Sequence, residues 1–125
     1  MSSDEGSPVG TWTGTVAHSN QVDKFRISFA EDGTLSLQTE LESGVVSAGT
    51  GTWTRTGDDT FSYRIQEIFH DEQGRAAHVF VAVDAVTAGE KYTGTGTGEL
   101  RTPEGHLIYE TVPVVDARLE IGAGA

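Results

Sequence analysis

The sequence predicts an all-β fold, an eight-stranded antiparallel up-and-down β-barrel with a central cavity. Three observations lead there. Turn-like clusters at 18–24, 31–34, 42–44, 56–59, 71–74, 87–90 and 102–105 cut the 125 residues into about eight segments. Most of these segments are rich in Thr, Val, Phe, Tyr, Trp and Ile, and none shows a long helical period. Within them, apolar and polar residues alternate with period two, which assigns one face of each strand to the interior. A β-sandwich is the alternative that the same pattern allows.

The strands follow in order. In "VGTWTGTV", Gly10, Trp12, Gly14 and Val16 oppose Thr11, Thr13 and Thr15. In "KFRISF", Phe25, Ile27 and Phe29 oppose Arg26 and Ser28, and in "TLSLQTEL", Leu35, Leu37 and Leu41 oppose Ser36, Gln38 and Glu40. "GTGTWTRTG" repeats the first design, with Gly49, Gly51 and Trp53 inward. "TFSYRIQEIFH" puts Phe61, Tyr63, Ile65, Glu67 and Phe69 on one face. "HVFVAVDAV" is apolar on both faces, Val79, Val81 and Val83 against Phe80, Ala82 and Val86. Such a strand needs cover on both sides, from a second subunit in a homodimer or from the N-terminal segment. "KYTGTGTGEL" places Gly94, Gly96 and Gly98 on one face, and "DARLEI" closes the order. Residues 9–121 are expected to form the single barrel domain, with 1–8 a flexible N-terminus and 122–125 a flexible tail.

Glycine in a strand costs roughly 0.5–1 kcal/mol relative to alanine, so the inward glycines require a reason. Either they make room for Trp12, Trp53, Phe61 and Tyr63 in a solid interior, or they leave a cavity. An eight-stranded barrel is just wide enough for either. The count of inward glycines favours the cavity.

Composition narrows the partners. The net charge is −11, with 19 acidic and 8 basic residues, which argues against nucleic acid and anionic membrane. There are no cysteines, so thiolate metal sites and disulfides are ruled out. The first residues carry neither a basic nor an apolar signal segment, and no apolar run approaches a bilayer span; a cytoplasmic location is the expectation. The histidines His18, His70, His78 and His106 form no H-x-H pair and no ligand spacing, so no metal is expected. "GTGTGEL" lies within a Thr-alternating strand and precedes no helix, so it is not a dinucleotide fingerprint.

Two resemblances add to this. The "GTW" of the first strand, followed by a meander, resembles the calycins, including lipocalins, in which a first-strand Trp closes the barrel floor and a basic residue from the last strand packs on it. Trp12 matches, and Arg118 in "DARLEI" is the candidate partner that the resemblance implies. The succession "KFRISF", "ESGVVSAGTGTW", "KYTGTGTGEL" and "DARLEIG" is similar to the small β-barrel cyclases of bacterial polyketide pathways, among them spirotetronate-type Diels–Alderases, and to the related allene oxide cyclase and dirigent barrels. This likeness runs over about residues 9–122 and implies a cofactor-free barrel, often dimeric, that folds a linear apolar substrate in its lumen. It assigns no catalytic residue.

The candidate catalytic residues come from the faces. Parity puts the Glu67 carboxyl among Phe61, Tyr63, Ile65 and Phe69, where it could serve as acid, base or hydrogen-bond partner. The alternative is a wet rim position or a salt bridge to Arg55. Tyr63, Tyr92 and Tyr109 carry hydroxyls on inner faces, suited to a substrate carbonyl or, alternatively, to a barrel mouth. Tyr63 and Tyr92 join Glu67 as catalytic candidates. Trp12, Phe25, Ile27, Phe29, Leu37, Trp53, Phe61, Phe69, Phe80 and Tyr109 are the candidate substrate-binding wall, Trp12 and Trp53 being equally readable as plugs. The leading functional expectation is a cofactor-independent cyclase or isomerase acting on an apolar, polyketide-like small molecule. A non-catalytic barrel binding a hydrophobic small molecule is the alternative, and a solid barrel used only for protein contact is the third reading.

Overall fold

The computed structural model describes residues 8–18, 21–40, 46–70 and 76–120, without the side chains of Val46, Phe69 and His70. The predicted position of Leu41 lies outside the described residues.

Alternation of buried and exposed residues organises every strand. They are β1 (Gly10–His18), β2 (Gln21–Phe29), β3 (Thr34–Glu40), β4 (Val46–Arg55), β5 (Thr60–His70), β6 (Ala76–Ala88), β7 (Lys91–Arg101), β8 (Leu107–Thr111) and β9 (Val114–Leu119). β1 to β7 pair in sequence as antiparallel neighbours, and β9 pairs with both β1 and β7 to close the circle. β8 and β9 share one register on β7, Gly98 opposite Thr111 and Thr95 opposite Val114, so they are one strand broken at Val112 and Pro113. Proline has no N–H to give a ladder, and the Pro113 carbonyl is bonded by Thr95 Oγ1 at 3.0 Å. The result is the expected closed eight-stranded antiparallel barrel, calycin-like in architecture.

The lumen has two unlike halves. The half holding the β2–β3, β4–β5 and β6–β7 turns is filled. There Phe29, Phe61, Tyr63 and Tyr92 meet edge to face or stacked at centroid distances of 5.2–6.2 Å. Trp12 packs on Tyr92 at 5.1 Å and gives its indole N–H to the Pro8 carbonyl. Trp53 covers Phe29 and bonds the Ala30 carbonyl. Aromatic pairs of this kind add about 0.5–1.5 kcal/mol each beyond area burial. Arg118, in contrast, is exposed and opposite Thr13, so the expected basic partner of Trp12 is replaced by Tyr92.

The glycines of β4 and β7 serve the backbone more than the lumen. A Cβ at Gly96 would run into the Ala82 carbonyl, and one at Gly51 into the Arg64 carbonyl. Both strands therefore approach their neighbours more closely than any side chain permits, as strong coiling in a small barrel requires.

Candidate functional site

The other half of the lumen is hollow. A pocket of about 930 Å³ opens between the barrel wall and the rim formed by Thr102, Pro103, Glu104, Ile108 and Tyr109. Among the described residues that end is incompletely walled. The β1–β9 ladder stops at Ala17 and Val114, so among the described residues β8 pairs with β7 alone.

The pocket wall is divided by chemistry. Val79, Val81 and Val83 from β6, Leu100 from β7 and Val115 from β9 make one side apolar. Inward positions of the five successive strands β1 to β5 carry polar groups, His18, Asp23, Thr39, Ser47 and Glu67, and all of these but Ser47 line the pocket. Register produces this arc, because Thr39 is opposite both Phe25 and Ser47, while Glu67 is opposite Gly49. A Cβ on Gly49 would lie 2.5 Å from Glu67 Cγ, so this glycine does give up lumen space, and Glu67 occupies it.

Glu67 is buried on the inner face, at 6% exposure. Its Oε1 accepts hydrogen bonds from Thr39 Oγ1 at 2.9 Å and Ser47 Oγ at 3.1 Å. Arg55 is exposed and donates to the Gly57 and Asp58 carbonyls, so neither the rim position nor the Arg55 salt bridge is realised. Burial raises the Glu67 carboxyl above the ordinary value, the negative charge of Asp23 adds to this, and the two hydroxyls and His18 oppose it. Every described buried polar side-chain atom has a partner. Oε2 has none in the described structure and is therefore reached from the lumen.

Asp23 is 2% exposed and its Oδ2 lies 2.6 Å from His18 Nε2. His18 and residues 21–24, expected as part of a turn, instead belong to β1 and β2, with His18 paired to Gln21 and Asp23 to Val16. Parity then turns His18 and Asp23 inward beside Phe25. These are the site residues the sequence reading missed, and the signal was present: His18 keeps the inward phase of Trp12 and Val16 on β1, and Asp23 that of Phe25, Ile27 and Phe29 on β2.

The expected residues separate. Phe25, Ile27, Leu37, Tyr63, Glu67 and Tyr109 line the pocket. Trp12, Phe29, Trp53, Phe61 and Tyr92 belong to the aromatic plug, behind the pocket floor. Tyr63 and Tyr92 share a hydroxyl–hydroxyl contact of 3.1 Å, and burial pushes both phenols up from their ordinary range. Phe80 faces outward at 36% exposure, because the inward phase of β6 belongs to Val79, Val81 and Val83. Phe69 is in register with Ala77, and its side chain lies outside the described residues. Among the described residues no cluster of His, Asp and Glu has metal-binding geometry. Nor, among the described residues, is any helix long and apolar enough to cross a membrane.

No protein-family model matches the chain, and a search of curated proteins returns no match.

Proposed function

We propose that the barrel takes an apolar, polyketide-like small molecule into the open half of its lumen and promotes its cyclisation or isomerisation without a cofactor. The observation that carries this reading is the pocket itself, an apolar wall facing a buried polar arc within about 930 Å³. Pockets that bind drug-sized molecules span about 300–1,000 Å³ and combine apolar lining with a few polar groups that fix orientation. Holding a flexible substrate in one reactive fold lowers the barrier through orientation. Glu67 Oε2 supplies a polar group at the reacting centre, where a desolvated hydrogen bond acts most strongly. Tyr63 lies behind it with its hydroxyl engaged by Tyr92, and serves as floor. That engagement favours the second reading, binding without turnover, because it removes one of the expected catalytic hydroxyls.

Cyclisation and isomerisation conserve mass, and this makes the test specific. Cells producing the protein with Glu67→Gln are compared with cells producing the parent by mass spectrometry of their small molecules. Turnover in the lumen predicts loss of one compound and accumulation of an isomer of equal mass with different retention. Unchanged profiles, with the variant folded, would leave binding alone.

A further inference from the structure

His18 and Asp23 form a second functional unit on the polar arc, apart from the Glu67 hydrogen bonds. Nε2 of His18 lies 2.6 Å from the Asp23 carboxylate, on adjacent strands joined by a hairpin, and Asp23 is almost fully buried while His18 is 20% exposed. A carboxylate in this position accepts the Nε2 proton and fixes the ring's tautomer and direction. The second nitrogen, Nδ1, then carries the lone pair. It has no hydrogen-bond partner among the described residues, and His18 lines the same pocket as Glu67. The two units are near enough that both His18 and Asp23 act electrostatically on the Glu67 carboxyl.

We propose that His18, oriented by Asp23, is a general base facing the lumen, and that the pocket's substrate class is a carbon acid: an apolar molecule with an enolisable carbonyl. The inference rests on the proposed lumen site and names its chemistry. The carbonyl oxygen takes the hydrogen bond of the protonated Glu67 carboxyl at Oε2. His18 Nδ1 removes a proton from the adjacent carbon, and the C–H electron pair becomes the C=C bond of the enol as Glu67 passes its proton to oxygen. Where the substrate carries a C=C bond next to that carbon, the enol is a dienol. The His18 proton then returns to the far end of that C=C bond, the double bond shifts into conjugation with the carbonyl, and the enol proton goes back to Glu67. Nothing is oxidised or reduced in this isomerisation. Asp23 is a positioning residue. The other ionisable groups lining the pocket are Glu99, Glu104 and the Tyr109 phenol at the rim, none as buried as Asp23 or Glu67, and the Tyr63 phenol, which is buried at the floor and engaged by Tyr92.

The test uses 5-nitrobenzisoxazole, a flat apolar carbon acid whose ring opens to a coloured phenolate when a base removes its C3 proton and the N–O bond breaks. Binding of Nile red, a neutral apolar fluorophore, reports separately whether the lumen accepts apolar molecules. The parent protein is expected to open the ring well above the rate of equimolar free imidazole. His18→Gln should lower that activity by about 100-fold or more, the contribution of a positioned base. Asp23→Asn should lower kcat about tenfold with KM unchanged, a split that loss of packing would not give. Because His18→Gln removes the imidazole beside the buried Asp23 carboxylate, the double variant His18→Gln with Asp23→Asn, whose amides can bond each other, is measured beside it. Nile red binding with ring opening no faster than free imidazole, or unchanged in folded His18 variants, overturns the base assignment and leaves the lumen reading standing. Absence of Nile red binding overturns both.

Discussion

Burial of Glu67 sets a sign for the pH dependence of stability. Its carboxyl titrates above the ordinary value of 4.5 when folded, chiefly through desolvation. Below that value both folded and unfolded chains hold the proton and the group contributes nothing to pH dependence. Above it the unfolded chain ionises first, so folding loses stability as pH rises toward the folded value. Glu67→Gln mimics the protonated acid and keeps an acceptor for Thr39 and Ser47. The variant should therefore exceed the parent in urea midpoint at pH 8 and not at pH 4, since titration of all other groups cancels in the comparison. Gly96 gives a second test at this scale. The sequence leaves open whether its missing side chain makes cavity or packing room. The structure puts the Ala82 carbonyl where its Cβ would be, so Gly96→Val should cost at least about 1–3 kcal/mol in denaturant unfolding. Backbone approach between strands is invisible to face parity, which says only which way a side chain would point.

At the scale of the element, β1 and β2 show what a sequence reveals and what it hides. Trp12, Phe25, Ile27 and Phe29 were assigned to the interior from alternation alone, and all are buried. His18 keeps the phase of Trp12 and Asp23 that of Phe25, yet "HSNQVDK" reads as a turn-like cluster. Polar residues on an inner face weaken the signal that identifies a strand, so a polar site is least legible where it is most informative. β6 was read as apolar on both faces, and it is. Its outward side presents Phe80 and Val86, with Ile68 of β5 nearby, at 36%, 51% and 48% exposure. A second copy of the chain is the expected cover, and light scattering at micromolar concentration should report a dimer. Phe80→Glu should give a folded monomer. Val81→Glu is the wrong probe of that face, because Val81 lines the pocket and the charge would enter the lumen. A further exposed apolar set that alternation does not single out comprises Val22 of β2 and Val114 of β9, the two strands that flank β1, and Val112 at the break between β8 and β9.

The whole molecule is a barrel that is solid in one half and hollow in the other. The closed all-β architecture followed from turn spacing and alternation, both of which are local. How the lumen is shared between plug and pocket is not local. It depends on which inward residues meet across the barrel, and so on the stagger of eight strands. That is why the sequence puts Trp12 and Phe61 on a substrate wall and Tyr92 among the catalytic candidates, when all three close the floor beneath the pocket. The central claim is that the hollow half binds an apolar small molecule, and filling it from inside is the most direct test. Val81→Trp would project an indole from β6 into the pocket. The measurement is Nile red titration of the parent and of Val81→Trp, with urea midpoints confirming that both are folded. The account predicts one saturable site in the parent and binding weakened by about tenfold or more in the variant, a loss of about 1.4 kcal/mol. Equal binding by the two folded proteins, or none by the parent, would contradict it.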